Sequence, residues 1–326
     1  MFQYKNPNSL FKWIESASDQ EIWEYLHTWH SIPETTDQLL EFIQYVSSKQ
    51  QVVNPPFPCT DLSGTGGDGS NTFNISTAAA FVAASAGVKI AKHGARKTAG
   101  SSGSVDTLEA LGINITSNSK SILKQLENVG IVFIASKMSA QLFLKIKKIV
   151  QQNKSSSFLS FIGPLTNPVP IEHQVLGVGL SQWMDRIAQI AIVLKKNHLL
   201  IVHGTYPGGG LDEISISGPT LMREIKCQNG KIMLDKSYEI KPSDFNIKEV
   251  SILHFKGGTP EENAKRIKTI LSGAGNTEDE NIVALNAAAA IYVSGQVTSL
   301  NEGFEQAKSI LKTKNILNHL SRTESF

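Results

Sequence analysis

The chain has 326 residues, 40% of them apolar and 18% charged, which is enough to bury one large core or two modest ones. Its 31 basic and 29 acidic residues leave a formal charge of +2, so no general electrostatic pull towards nucleic acid or a membrane surface is expected. Two cysteines, Cys59 and Cys227, give neither a metal-binding spacing nor a disulfide framework, and point to a reducing compartment.

The N-terminal residues Met1-Phe2-Gln3-Tyr4-Lys5-Asn6-Pro7 lack the apolar stretch of a signal peptide, and the alanine-rich run 78–91 is too short and interrupted to span a bilayer. A cytoplasmic protein is expected. Residues 8–53 carry helical apolar stripes, among them Leu39, Leu40, Phe42, Ile43 and Val46. Ser31-Ile32-Pro33-Glu34 has the form of a helix start. The segment Asn54-Pro55-Pro56-Phe57-Pro58 then interrupts the pattern and marks a boundary. It divides a helical unit, 1–56, from an α/β unit, 57–326, with part of 160–180 a candidate to fold back onto the first.

Beyond the boundary, short apolar runs alternate with amphipathic stretches. Helices are predicted at 75–86, 105–111, 140–150, 184–194, 260–272, 282–293 and 304–311, and strands at 88–91, 131–135, 175–180 and 199–202. Thr259-Pro260-Glu261-Glu262 is a capping box at the head of one helix. The alternation predicts an α/β fold with a central, mostly parallel sheet flanked by helices.

Two glycine-rich stretches carry the chemistry. In Gly64-Thr65-Gly66-Gly67-Asp68-Gly69, four glycines in six residues leave no side chains to bar a phosphate, and Thr72, Asn74, Ser76 and Thr77 follow at a helix start. Asp68 would repel a bare phosphate, and makes sense beside a cation or a ribose hydroxyl. The second stretch, Lys92-His93-Gly94-Ala95-Arg96, runs on to Gly100-Ser101-Ser102-Gly103-Ser104, and combines two cations with hydroxyls suited to an anion. Further on, Gly208-Gly209-Gly210-Leu211-Asp212-Glu213 places adjacent carboxylates near a strand end, where open α/β sheets bind ligands and where a hard cation such as Mg²⁺ fits. Gly163-Pro164-Leu165-Thr166-Asn167-Pro168 is, taken alone, turn chemistry.

In this order, GTGGDGSNTFNIST, KHGAR, SSGSVDTLEALG, GPLTNP and GLDEIS resemble the anthranilate phosphoribosyltransferase family, strongly over about 60–220 and loosely beyond. The family shares its fold with nucleoside phosphorylases. The resemblance implies a small helical domain beside a larger α/β domain, a homodimer, Mg²⁺, and transfer from 5-phosphoribosyl 1-diphosphate (PRPP) to an aromatic amine, anthranilate first. It implies donor binding by Gly64, Gly67, Asp68, Thr72, Asn74, Ile75, Ser76, Thr77, Lys92, His93, Gly94, Arg96, Gly100 and Ser104, and metal binding by Ser76, Asp212 and Glu213.

The chain departs from the family where the acceptor is met. Gly64, Ala95, Ser139 and Val150 fall at acceptor positions, with Ala95, Ser139 and Val150 in place of the family's Asn, His and Arg. A related transferase with another aromatic or heterocyclic acceptor is therefore the first alternative. A nucleoside phosphorylase is disfavoured by Asp68 and the Asp212–Glu213 pair. A non-enzymatic relative that binds nucleic acid or protein is disfavoured by the charge balance and the intact donor motifs.

Overall fold

The computed structural model describes residues 13–14, 16–24, 36–48, 50–94, 103–113, 115–116, 118–135, 148–149, 159–229, 231–313 and 316–324. In chain order the elements are α1 (Thr36–Ser48), β1 (Cys59–Gly64), α2 (Ile75–Ser85), β2 (Ile90–Gly94), α3 (Ser104–Ala110), α4 (Ser119–Asn128), β3 (Ile131–Ala135), α5 (Leu159–Leu165), β4 (Ile171–Gly177), α6 (Met184–Val193), β5 (His198–Tyr206), β6 (Gly209–Leu211), β7 (Thr220–Gln228), β8 (Lys231–Ile240), α7 (Pro260–Leu271), α8 (Thr277–Val293), α9 (Leu300–Thr313) and α10 (Ile316–Glu324).

One mixed sheet organises them. β3, β2, β1, β4 and β5 lie side by side and parallel; β5 then pairs antiparallel with β6 and β7, and β7 with β8. The strand order reverses between β1 and β4, which leaves a crevice above their C-terminal ends. The interior strand β5, His-Leu-Leu-Ile-Val-His-Gly-Thr-Tyr, is buried over its first seven residues, as a strand covered on both faces must be. The edge strand β8 is largely exposed and carries Lys231, Asp235 and Lys236, charges that discourage further pairing. Because β7 and β8 present mostly polar or exposed positions, their sequence has no clear apolar signal, and no strand is predicted there from sequence.

The sheet separates two main apolar clusters. On one face, α2 and α8 meet through alanines: Ala78–Ala80 and Ala287–Ala290 are all 0% exposed. Small side chains let the two backbones approach closely, while Phe73, Phe81, Phe133 and Phe255 supply volume, at roughly 1.5–3 kcal/mol for each large apolar side chain fully buried. On the other face, Ile14, Ile22, Leu39 and Ile43 from the N-terminal helical segments join Ile187 and Ile190 of α6, and Ile162, Leu165, Leu176 and Val178 share that cluster. Both cysteines are free thiols, Cys59 buried and Cys227 half-buried.

Several helix boundaries follow from their caps. Thr259 caps α7 as its sequence pattern requires, with Glu262 reaching back to the Thr259 N–H at 2.8 Å. α8 starts five residues before its predicted start because Asn276 accepts from the Asp279 N–H at 2.8 Å and three acids fill the first turn. No helix among the described residues is long and apolar enough to cross a membrane.

Candidate active site

The reversal of strand order is where the first glycine loop and the acidic pair meet. Gly64 ends β1, Gly177 ends β4, and the two are register partners. The Asp212–Glu213 segment lies directly across these strand ends. A Cβ at Gly64 would overlap the Asp212 carboxylate, one at Gly177 the Asp212 carbonyl, and one at Gly204 on β5 the Glu213 carbonyl. Gly64 and Gly177 at their strand ends and Gly204 within β5 thus form a flat support for the acidic pair. Gly177 and Gly204 are not singled out by sequence; the only signal is a glycine at the end of an apolar run.

The glycine loop closes onto the same pair. Gly66 adopts φ +67°, a left-handed backbone that glycine tolerates, and its N–H donates to Asp212 Oδ2 at 2.6 Å. Asp68 accepts from Ser70 N–H at 3.0 Å and Ser70 Oγ at 2.8 Å, and its Oδ2 also accepts from the Asp212 N–H at 3.3 Å. At the head of α2, the Ser76 N–H donates to Glu213 Oε1 at 3.1 Å. A carboxylate at the positive end of a buried helix is a favourable arrangement. Asn74, the residue before α2, makes no side-chain cap. Its Oδ1 instead accepts from Thr107 Oγ1 at 2.6 Å and Asn263 Nδ2 at 3.4 Å, tying the loop to α3 and α7.

Lys92 supplies the internal counter-charge. Its buried Nζ donates to the Leu62 carbonyl at 2.6 Å and to Ser76 Oγ at 3.2 Å. Burial lowers its pKa, while Asp61, Glu213 and Asp212 pull it back up. Burial pushes Asp212 well above the usual carboxylate range, reinforced by the charges of Asp68 and Glu213. Glu213 is pushed up to about 7, again chiefly by burial, against the lowering influence of Lys92 and Ser76. A cluster of carboxylates that resist ionisation is short of positive charge.

That shortage tests the fit of Mg²⁺. The donors at hand are all oxygens, two of the carboxylates are half-buried with raised pKa values, and Ser76 adds a hydroxyl beside them. No three His, Cys, Asp or Glu among the described residues converge into a closed metal cage. Mg²⁺ uses few protein ligands and fills its shell with water and substrate phosphate, so the residues present fit it.

The far end of the loop is held from behind. Phe73 N–H donates to the Phe255 carbonyl at 2.9 Å, Gly257 N–H to the Asn71 carbonyl at 2.8 Å, and Thr72 bridges Lys256. Gly94, at the end of β2, lies so close to Ser104 that an added Cβ would sit 2.6 Å from its Oγ. The start of the second anion stretch and its closing serine are therefore in contact.

Neighbours on a strand point to opposite faces, and Lys92 and His93 do so. His93 is buried on the α5 side, its ring near Gly163, and its Nε2 has no hydrogen-bond partner among the described residues. Burial pushes it down to about 4, so the imidazole is neutral. The His93 N–H donates to buried Asp61 Oδ1 at 3.2 Å, and Ser63 Oγ donates to the same carboxylate at 3.0 Å. The side chains of Ile75 and Thr77 turn into the core and are 0% exposed. Gly64, Gly67, Asp68, Asn74, Ser76, Lys92, Asp212 and Glu213 are brought into one neighbourhood, with Thr72, Gly94 and Ser104 at its margins. Ala95, Arg96, Gly100, Ser139 and Val150 lie outside the described residues.

Residues 57–315 match the family described as glycosyl transferase family, a/b domain. The anthranilate phosphoribosyltransferase of Dictyoglomus thermophilum is 37% identical over 282 residues, covering 86% of this chain and 82% of the relative. That of Dehalococcoides mccartyi is 36% identical over 291 residues, covering 88% and 82%. Among solved structures, anthranilate phosphoribosyltransferase from Thermus thermophilus superimposes with a TM-score of 0.86 at 27% identity, covering 98% of this chain and 94% of that one. The Saccharomyces cerevisiae enzyme in complex with PRPP and Mg gives a TM-score of 0.81 at 26% identity, covering 94% and 85%. With the glycine loop, the acidic pair and the sheet crevice in place, the chain belongs to the anthranilate phosphoribosyltransferase family and is a glycosyltransferase.

Proposed function

We propose that this enzyme transfers the 5-phosphoribosyl group of PRPP to the amino nitrogen of anthranilate, releasing diphosphate. The observation that carries the reading is the closure of the Gly64–Gly69 loop onto Asp212 and Glu213 at the head of α2. The relatives that share this architecture bear that activity in their names, and one was solved with PRPP and Mg.

In the reaction the bond between the ribose C1 and the diphosphate oxygen breaks, the electron pair leaving with the diphosphate. The amine nitrogen forms the new bond to C1 and loses a proton. The glycine-rich loop leaves room for the phosphates. Ser76, Asp212 and Glu213 would hold Mg²⁺, which when bound neutralises the departing diphosphate. Lys92 keeps the carboxylates compensated from beneath and orients the Ser76 hydroxyl. Arg96 and Ser104 are assigned to the donor's phosphates on the strength of the motif.

The assay is direct: protein, PRPP, Mg²⁺ and anthranilate are mixed and the loss of anthranilate fluorescence is followed. Turnover supports the reading, and none at high enzyme concentration overturns it. Ala95, Ser139 and Val150 favour one second reading, a different aromatic or heterocyclic acceptor. PRPP- and Mg²⁺-dependent release of diphosphate with such an acceptor, but not with anthranilate, would select it.

We also assign the chain a helical unit over 1–56 and an α/β unit over 57–326, supported by a family match that begins at 57. A homodimer is the assembly the resemblance implies, and the cysteine usage favours a cytoplasmic location; light scattering on the purified protein tests the dimer.

A further inference from the structure

Helix α8 contains one side chain that its surroundings do not explain. Asn286 is 0% exposed and sits in the stretch Leu285–Ala290, where its neighbours are apolar and buried. Asn is a weaker helix former than Ala, and burying a carboxamide costs free energy unless its hydrogen bonds are made. Here they are made, and two go to one residue on another element. Asn286 Oδ1 accepts from the Ile214 N–H at 2.9 Å, and Nδ2 donates to the Ile214 carbonyl at 3.0 Å. The second Nδ2 hydrogen goes to the Ile282 carbonyl at 2.9 Å, one turn back. A flipped amide would set donor against donor and acceptor against two acceptors, so the orientation is fixed.

Ile214 directly follows Asp212 and Glu213. The Ile214 N–H belongs to the same peptide group as the Glu213 carbonyl. That carbonyl faces Gly204 so closely that no Cβ fits, and the Asp212 carbonyl faces Gly177 in the same way. The peptide plane after Glu213 is thus held on both sides, by a glycine on β5 and by a carboxamide on α8. Ile214 itself is fully buried, so the chain cannot relax outwards. Between Asp212 and Ile214, the Asp212 N–H, the Asp212 and Glu213 carbonyls, and the Ile214 N–H and carbonyl each have a close contact.

We infer that Asn286 is a positioning residue for the cation site: it holds the 212–214 backbone so that the Asp212 and Glu213 carboxylates converge above the strand ends. The inference rests on the proposal that these two acids are the cation's ligands. Outer partners that orient metal ligands typically change metal affinity by about 10–100-fold when removed.

The test uses the full-length protein and Mn²⁺ as a spectroscopic stand-in for Mg²⁺. Mn²⁺ is titrated into the protein with no phosphate ligand in solution, since diphosphate would itself chelate the ion, and the loss of the free-ion EPR signal gives the affinity. Wild type is expected to bind, and Asn286→Leu, of similar size but without the amide, to bind about tenfold or more weakly at a temperature where both are folded. Equal affinity in the two would overturn the inference even if the variant melts earlier, because a merely structural role lowers stability without moving affinity. Failure of the wild type to bind Mn²⁺ at all would instead sink the underlying assignment of the ligands. If Asn286→Leu does not fold, hydrogen exchange on the wild type decides: the Ile214 amide is expected to exchange as slowly as the buried amides of α8, and rapid exchange overturns the clamp.

Discussion

The Gly66 N–H donates to Asp212 Oδ2 at 2.6 Å across 146 residues of sequence. This bond joins the glycine loop proposed to take the phosphate to the carboxylate proposed to hold its counter-ion. Loop and acid therefore form one unit, and neither keeps its geometry without the other.

Replacing that carboxylate and its neighbour together, as Asp212→Asn with Glu213→Gln, keeps size and shape while removing two charges. Turnover is expected to fall by about 100-fold or more, the scale set by losing a preorganised electrostatic group. The Mg²⁺ concentration for half-maximal rate should rise as well. Steady-state rates across a Mg²⁺ series check this; an unchanged Mg²⁺ dependence would remove both acids from the site.

A smaller change probes the support beneath them. Gly177→Ala places a methyl group against the Asp212 carbonyl, a backbone atom that cannot swing aside. Overpacking of this kind costs about 1–3 kcal/mol. The displaced segment carries the acids, so kcat/KM should drop by more than the stability loss explains. Urea unfolding and kinetics on the same preparation separate the two effects.

Arg266 braces the loop's far end. Its Nε and Nη2 fork onto Asp279, its Nη1 donates to the Lys256 carbonyl at 3.1 Å, and its guanidinium lies 4.3 Å from the centre of the Phe73 ring. Arg266→Ala removes the forked partner of a buried carboxylate that keeps Asn276 and a more distant His254, with an expected cost of about 2 kcal/mol. The Thr72–Phe73 backbone loses its brace, so the KM for PRPP should rise while that for anthranilate changes less. Equal shifts in both constants would count against this role.

A second polar cluster sits at the opposite end of the sheet, around Glu224. Burial alone would raise its pKa, but hydrogen bonds from His198, Tyr292 and Tyr238 outweigh burial and draw it down from 4.5 to about 2. A lowered carboxylate stabilises the fold above its unfolded pKa, and that contribution is lost as pH falls from 4.5 towards 2. Glu224→Gln should therefore melt earlier than wild type at about pH 7, with the gap narrowing by about pH 3, while the KM for PRPP stays the same. A gap independent of pH would show that packing rather than ionisation sets the stability.

Local chemistry was legible in the sequence, and long-range geometry was not. The glycine loop, the Thr259 capping box and the alanine-rich helix predicted over 75–86 each depend on a few adjacent residues, and the structure has the cap and a helix over Ile75–Ser85. Gly177 and Gly204 depend on a segment that crosses them from elsewhere in the chain, so nothing beside them reveals their constraint. Asn286 is hidden in the same way: in Leu-Asn-Ala-Ala-Ala-Ala it looks like one polar position on a helix, and only the approach of Ile214 gives it a task. Lys92 and His93 look equivalent in the motif, and the pleat of β2 sends them to opposite sides of the sheet.

The contact between Lys92 and Ser76 also bears on which ions the crevice accepts. The ammonium faces Asp61, Asp212 and Glu213, so it offsets only part of the negative charge those acids can carry. A divalent cation held between the acids would offset more of the remainder than a monovalent one. A lysine that need not touch the ion thus sets part of the field the ion meets, and a neutral residue at position 92 would leave the acids with more charge to be offset.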